Sequence, residues 1–433
     1  MINKLYTYYL ASEGVCTDTR HLQKNQIYFA LKGDQFDGNQ YANQALEKGA
    51  TYAVVSTLPK EMDFDESRYL LVDDTLKTLQ YLANHHRKQL DIPILGITGT
   101  NGKTTSKELC QQVISKKYTC FATKGNLNNH IGVPLSLLSI DSSHDFAIIE
   151  MGANHPLEIK MLCEIAEPNL GLITNIGKAH LEGFGSVRNI QKTKKELFDF
   201  VSKQNQAFFY CQSEVLIAEF AHAYPNSKSY GTDAKANFVY QLKDGTLHAE
   251  LVWGNQHISS QLFGSHNAQN IAAACAIGSF LDINSEDIKS AIETYQPKNN
   301  RSQVLKTEKN TLILDAYNAN PTSMYVALDH FLNLNIDSKI CILGDMLELG
   351  SEEEQEHKAS VEQVFEKLDG LKRVFFVGEA FCKLQDQYTH NNCSWHKDIE
   401  TCKAELKTLV IENQHILLKG SRGIGLEQLI PLL

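Results

Sequence analysis

Apolar residues along this chain follow two periods, and the switches between them outline its elements. Short apolar runs at 26–31, 51–55 and 69–72 alternate with segments at 41–48 and 75–89 whose apolar positions recur at helical spacing. That alternation predicts a small α/β unit over residues 1–91, and Pro93 opens a new apolar run just beyond Asp91. Strand-like runs then fall at 94–98, 119–123, 146–151 and 170–176, separated by helical patterns at 103–117, 156–165 and 187–201. Continuous apolar runs alternating with helices predict a parallel sheet covered on both faces. Residues 238–263 read as paired strands, with Asp244-Gly245 and Gly254-Asn255 as turns, and 271–281 read as a buried helix. From Arg301 the alternation resumes, with strands at 311–314, 339–343, 373–377 and 415–418. The helix expected over 352–368 opens with acidic residues, which suit a helix N-terminus. The expected fold class is α/β in three domains: 1–91, a central 92–299 with a P-loop-type, mostly parallel sheet, and a Rossmann-like 300–433.

Composition narrows the function classes. At 433 residues the chain is too long for one ordinary core. A net charge of -10 argues against a nucleic-acid-binding face, which needs a basic surface, but leaves room for a local basic pocket. The opening MINKLYTYYL has no basic region followed by an apolar core. The longest apolar-rich stretches, such as 271–281, are too short to span a bilayer. Ten scattered cysteines without a Cys-x-x-Cys pair read as reduced thiols. A cytoplasmic protein with no membrane or nucleic-acid partner is therefore expected, and a monomer is taken as its form. His390, Cys393 and His396 cluster in sequence but lack a fourth zinc ligand at a sensible spacing, so they read as a polar surface loop.

The strongest chemical signal is Gly99-Thr100-Asn101-Gly102-Lys103-Thr104-Thr105, set between a strand and a helix. That order is the context of a phosphate-binding loop. Glycines let the backbone approach phosphate, and loop N–H groups with the helix N-terminus face the anion. Lys103 would neutralise the β- and γ-phosphates, and the Thr104 hydroxyl is placed for Mg²⁺. The common version needs glycine at position 97, where this chain has Ile97, so the loop is a variant. Glu150 ends the run at 146–149 on the sheet edge where ligands of open α/β sheets bind. It is a candidate Mg²⁺ ligand, or a cap for the turn that follows. His180 follows the next strand onto the same rim, a place structural histidines also occupy. The helix at 187–201 carries Lys192, Lys194 and Lys195, Lys192 is spaced to pair with Glu196, and periodicity singles out none of the three.

Eight segments together carry a resemblance. They are GTNGKTT (99–105), GNLNNHIGVPLSLL (125–138), EMGANHPLEI (150–159), TNIGKAHLEGFGS (174–186), GSHNAQNIAAA (264–274), DAYNANPTSM (315–324), LGDMLELG (343–350) and LLKGSRG (417–423). The chain resembles the Mur ligases, which build the peptide stem of peptidoglycan, and the resemblance runs through all three domains. GTNGKT is shared with folylpolyglutamate synthetase. EMGAN, AHLEGFGS, YNANP and GDMLELG resemble more narrowly the members that add D-Ala-D-Ala. The resemblance implies an ATP-dependent amide ligase. A carboxylate of UDP-MurNAc-tripeptide takes the γ-phosphate of ATP, and the amino group of D-Ala-D-Ala attacks the acyl phosphate. Two anions meet in the first step, so two Mg²⁺ ions and a lysine are needed to screen them.

By the same resemblance, Thr104 and Glu150 hold one Mg²⁺, while His180 and a CO₂-derived carbamate on Lys194 serve the second. Lys194-Lys195-Glu196-Leu197-Phe198 fits the family register, with Lys195 where related ligases often have glycine; Lys192 is the alternative. Asn267 and Asn270 would meet the adenine side, Arg301 a phosphate and Asp315 the ribose. Without the resemblance these read as a helix cap (Asn267), a surface charge (Arg301) and a turn former (Asp315). Thr19, Arg20, Lys32 and Gly33 would hold the UDP end, with Asn126, Asn128 and Asn129 at the domain junction. Asn318, Asn320, Lys419, Ser421 and Arg422 would form the D-Ala-D-Ala wall, Arg422 gripping its carboxylate in a two-pronged manner. Two alternatives stand beside this reading: another amide ligase of the same class, and a non-catalytic scaffold that keeps the nucleotide fold. YNANP and GDMLELG weigh against the first, and intact Lys103, Thr104, Glu150, His180 and Lys194 against the second.

Overall fold

The computed structural model describes residues 2–179 and 181–433. Its centre is a parallel sheet in the order Cys120–Ala122, Phe146–Glu150, Ile94–Thr98, Leu170–Ile173, Phe208–Cys211 and Ser227–Gly231. Every residue of Ile94–Thr98 and Phe146–Glu150 is buried, because helices cover both faces. Leu109 and Val113 of Lys103–Ile114 and Ile271 of Ala268–Phe280 pack on one face. Ile159 and Leu162 of Glu158–Ala166 and Leu197 and Val201 of Val187–Lys203 pack on the other. The alanine-rich Ala268–Phe280 is buried almost all round its axis. Its Gly278 lies so close to Lys103–Ile114 that a Cβ there would come within 2.5 Å of Val113 Cγ1.

Antiparallel strands follow where the turn signals predict them: Phe238–Lys243, His248–Trp253 and Gln256–Phe263. Gln303–Lys306, a strand that the apolar pattern does not reveal, then links the two large sheets. It pairs with Gln256–Phe263 through Leu262 and Gln303 alone, and with Thr311–Asp315 along its whole length. Parallel strands His415–Lys419, Lys339–Gly344, Leu371–Val377 and Cys393–His396 complete one continuous sheet of 15 strands. The last of these corrects an expectation. Cys393–His396 is an edge strand and not a surface loop, and buried His396 places Nε2 3.1 Å from Glu405.

The first part of the chain forms a separate parallel sheet of Val15–Cys16, Ile27–Phe29, Tyr52–Val55 and Tyr69–Leu71. Leu79, Leu82 and Ala83 of the helix Thr75–Arg87 share a core with Val133, Leu137 and Leu162 of the central unit. Arg87 donates across this contact to the Ala166 carbonyl at 2.9 Å and to Asn169 Oδ1 at 2.9 Å. Among the described residues no helix is long and apolar enough to cross a membrane.

Candidate active site

The phosphate loop takes its shape from two glycines and from the segment after the neighbouring strand. Gly99 and Gly102 have φ of 148° and 76°, in the left-handed half of the map that side chains avoid. A Cβ at Gly99 would sit 1.9 Å from Thr174 Oγ1, and one at Gly102 would sit 2.4 Å from Asn270 Oδ1. Thr174 Oγ1 donates to the Asn101 carbonyl at 2.6 Å, and Asn175 Oδ1 accepts from the Asn101 N–H at 2.9 Å. Lys103 Nζ donates to the Gly99 and Thr100 carbonyls at 2.7 and 2.9 Å. Burial pushes its pKa below the usual lysine range, against the pull of Glu150, and Arg301 adds to the lowering. Gly102→Ala is expected to cost about 2 kcal/mol or more, from the left-handed backbone and the clash with Asn270. Urea unfolding would measure the loss, and an unchanged midpoint would show that the loop tolerates a Cβ.

Glu150 stands at the C-terminal end of its strand, opposite Ile97. Asn128 Nδ2 donates to Oε1 at 2.8 Å, and Lys107 Nζ lies 3.7 Å from Oε2. Oε2 is buried and has no hydrogen-bond partner among the described residues. A carboxylate oxygen with no hydrogen-bond donor, lining one cavity with Thr104 and the phosphate loop, suits a hard cation. Lys107 was missed by sequence reasoning. The available signal was its spacing of four from Lys103, which puts both on one side of the helix. Lys194 is buried, whereas Lys192 is exposed and Lys195 pairs with Asp199. Burial first, then the nearby Lys103, push the Lys194 amine down to about 7. Glu196 does not pair with Lys192. It accepts from the Leu157 and Lys160 N–H groups at 3.0 and 2.8 Å and so caps the start of Glu158–Ala166. His180 lies outside the described residues.

A cavity of about 670 Å³ runs from the loop to the third part of the chain. It brings together Thr100 to Thr105, Asn126, Asn128, Asn129, Glu150, Asn267, Asn270, Arg301, Asp315, Asn318, Asn320 and Lys419. Several of these have jobs that the sequence did not suggest. Asn267 Nδ2 donates to the Phe263 carbonyl and its Oδ1 accepts from Asn270, so its side chain does not cap the helix. Asn129 Oδ1 accepts from the Gly132 N–H at 2.9 Å. Asp315 pairs with buried Lys419 at 2.7 Å and accepts from the Ser302 N–H at 2.9 Å. Burial raises the Asp315 carboxyl, but Lys419 and the Ser302 N–H outweigh it and hold the group below its ordinary value. Asn320 caps Pro321–Asn333 and also donates to Asn101 Oδ1 at 2.7 Å, tying the third unit to the phosphate loop.

Other expected site residues lie elsewhere. Ser421 and Arg422 line an adjoining pocket of about 150 Å³ with Asn318 and Asn320. Ser421 Oγ accepts from the Leu347 N–H at 3.0 Å, which braces this wall. Thr19, Arg20, Lys32 and Gly33 do not line the large cavity. Thr19 donates to Gln44 at 2.9 Å, and exposed Arg20 pairs with Asp18 at 2.6 Å, holding that carboxyl down at about 2. Lys32 and Gly33 are exposed in a two-strand hairpin with Phe36–Asp37. Both segments follow neighbouring parallel strands, so they emerge on one edge of the first sheet.

A phosphate loop beside a cation-ready carboxylate, in a cavity closed by a second α/β unit, defines a nucleotide-dependent enzyme. Residues 97–278 match the Mur ligase middle domain, 300–422 the Mur ligase, glutamate ligase domain, and 12–87 the Mur ligase family, catalytic domain. The UDP-N-acetylmuramoyl-tripeptide--D-alanyl-D-alanine ligase of Bacillus subtilis (strain 168) is 33% identical over 428 residues, covering 96% of this chain and 92% of its own. The ligase of the same name from Escherichia coli (strain K12) is 32% identical over 434 residues, covering 97% and 93%. A crystal structure of MurF from Acinetobacter baumannii superposes with a TM-score of 0.85 at 28% identity, covering 98% of this chain and 97% of that one. The chain belongs to the Mur ligase family. It is an ATP-dependent, ADP-forming ligase.

Proposed function

We propose that this chain joins D-alanyl-D-alanine to UDP-N-acetylmuramoyl-tripeptide, the step that completes the pentapeptide precursor of peptidoglycan. The observation that carries the reading is the single cavity in which the phosphate loop and Glu150 meet Arg301, Asp315 and Lys419 from the far side. The two relatives that carry this activity in their names, each matching nearly the whole chain, supply the substrates. In the first step a carboxylate oxygen of the tripeptide attacks the γ-phosphorus of ATP, the β,γ P–O bond breaks, and ADP leaves. In the second the amino nitrogen of D-Ala-D-Ala attacks the acyl carbon. The C–O bond to phosphate breaks, and inorganic phosphate and a proton leave.

The N–H groups at the start of the helix Lys103–Ile114, together with the Lys103 ammonium, hold the phosphates and meet the charge that builds up during transfer. Thr104 and Glu150 Oε2 would hold a first Mg²⁺, with Lys194 as a carbamate and His180 serving a second. Those ions supply the screening that lets two anions meet. A carbamate needs a neutral amine, and the buried Lys194 supports it. Asn267 and Asn270 stand on the adenine side, Asp315 at the ribose and Arg301 at a phosphate. Residues 1–91 take the UDP end through Thr19, Arg20, Lys32 and Gly33, with Asn126, Asn128 and Asn129 at the junction. Residues 92–299 take ATP, and residues 300–433 take D-Ala-D-Ala through Asn318, Asn320, Lys419, Ser421 and Arg422. This reading is that of a monomer acting in the cytoplasm on dissolved substrates.

Phosphate release measured with D-Ala-D-Ala, single amino acids and glutamate as acceptors tests this function. A clear preference for the dipeptide is expected, and a preference for a single amino acid or glutamate would overturn the assignment.

A further inference from the structure

The linker into the third unit is built in an unusual way. Asn299, Asn300 and Ser302 all take left-handed φ, at 61°, 54° and 45°, a conformation that asparagine tolerates and that costs serine more. Two hydrogen bonds pin this linker to the end of Thr311–Asp315. The Tyr317 N–H donates to the Asn300 carbonyl at 3.1 Å, and the Ser302 N–H donates to Asp315. Arg301 sits between the pinned residues, and its guanidinium lies over the Tyr317 ring, 3.4 Å from the centroid. Arg422, which arrives after the strand His415–Lys419, places its guanidinium 5.2 Å from the same centroid. Neither guanidinium has an ion-pair or side-chain hydrogen-bond partner among the described residues, so both stay available to anions. Tyr317 itself lines the large cavity and, with both arginines, a neighbouring one of about 340 Å³.

We propose that Tyr317 is a positioning residue whose ring face holds Arg301 and Arg422 together, so that one aromatic platform sets both the nucleotide-side and the acceptor-side cation. Two like charges held on one ring repel each other. The negative face of the ring offsets that repulsion without neutralising either cation, as a carboxylate would. Each guanidinium therefore keeps its full charge for an incoming anion, a nucleotide phosphate for Arg301 and the acceptor carboxylate for Arg422. An anion on one cation also relieves repulsion felt by the other, so nucleotide and acceptor should assist each other's binding. This rests on the ligase reading above.

The test uses the full chain, with ATP, UDP-MurNAc-tripeptide and D-Ala-D-Ala, and phosphate release as the readout. Tyr317→Leu, which keeps bulk and loses the ring, should raise the KM for ATP and the KM for D-Ala-D-Ala together, each about five- to twentyfold. Tyr317→Phe, which keeps the ring face and loses the hydroxyl, should return both to within about twofold of the parent. Tyr317→Met serves in place of leucine if that variant does not fold. A leucine or methionine variant that leaves both constants unchanged, or moves only one, would overturn the proposal. So would a phenylalanine variant as impaired as leucine, since that places the effect in the hydroxyl or in packing. If the parent chain releases no phosphate with D-Ala-D-Ala, the ligase reading fails and takes this inference with it. If the parent works and the leucine variant matches it, only the inference fails.

Discussion

Lys103→Ala is expected to lower turnover by on the order of a thousandfold, the scale of losing a preorganised charge at a phosphoryl-transfer centre. The reason lies in how the side chain is held. Its ammonium already donates to the Gly99 and Thr100 carbonyls, in a glycine loop that leads from a strand end into a helix N-terminus. Stability should change far less, by about 2 kcal/mol at most. The variant loses two charge-assisted hydrogen bonds, but it also loses a cation whose burial is unfavourable enough to depress its pKa. Steady-state phosphate release and urea unfolding on the same preparation separate the two effects. Near-parental turnover would remove Lys103 and its loop from the mechanism, whatever the fold does.

Lys194→Ala should cost about a hundredfold or more in activity, in line with losing a group that orients a metal. Added acetate or formate should restore part of it by standing in for the missing carboxylate. Lys192→Ala is the control. Lys192 is exposed where Lys194 is buried, so rescue of Lys192→Ala and not of Lys194→Ala would move the assignment by two residues. The pH dependence follows from the depressed pKa. Only the neutral amine takes up CO₂, and the neutral fraction grows as pH rises through about 7. CO₂-dependent activity should therefore rise across that window and fall away below it. Without CO₂, the unfolded chain keeps a proton on this lysine to much higher pH than the folded one does. Folding stability should then increase with pH above about 7. Lys194→Ala should flatten that increase, and an unchanged slope would show that the amine is not desolvated in solution.

Much of this protein can be read locally. The alternation of apolar runs and helical stripes marks the long elements, because burial on one or both faces imposes its period on every turn and every strand. The glycine–lysine loop is legible for the same reason: its chemistry depends on neighbours in the chain. Glu150 could be placed at the rim because a strand end follows from the strand. Short, half-polar segments escaped. Gln303–Lys306 is a strand only because Thr311–Asp315 lies beside it, and Cys393–His396 only because Leu371–Val377 offers an edge.

The division of labour within the site was likewise decided by tertiary contacts. Three lysines on one helix are equivalent in sequence, and packing buries Lys194 while leaving Lys192 in water. Asn128 holds Glu150, Lys419 answers Asp315, and Asn320 reaches Asn101, across separations of 22, 104 and 219 residues. What the sequence determined by itself is the phosphate loop, the kind of each long element and the family resemblance, since each resides in consecutive residues. Which charges face one another, and which remain free for substrate, was decided by the tertiary structure, because Coulomb and hydrogen-bond partners are chosen by distance in space.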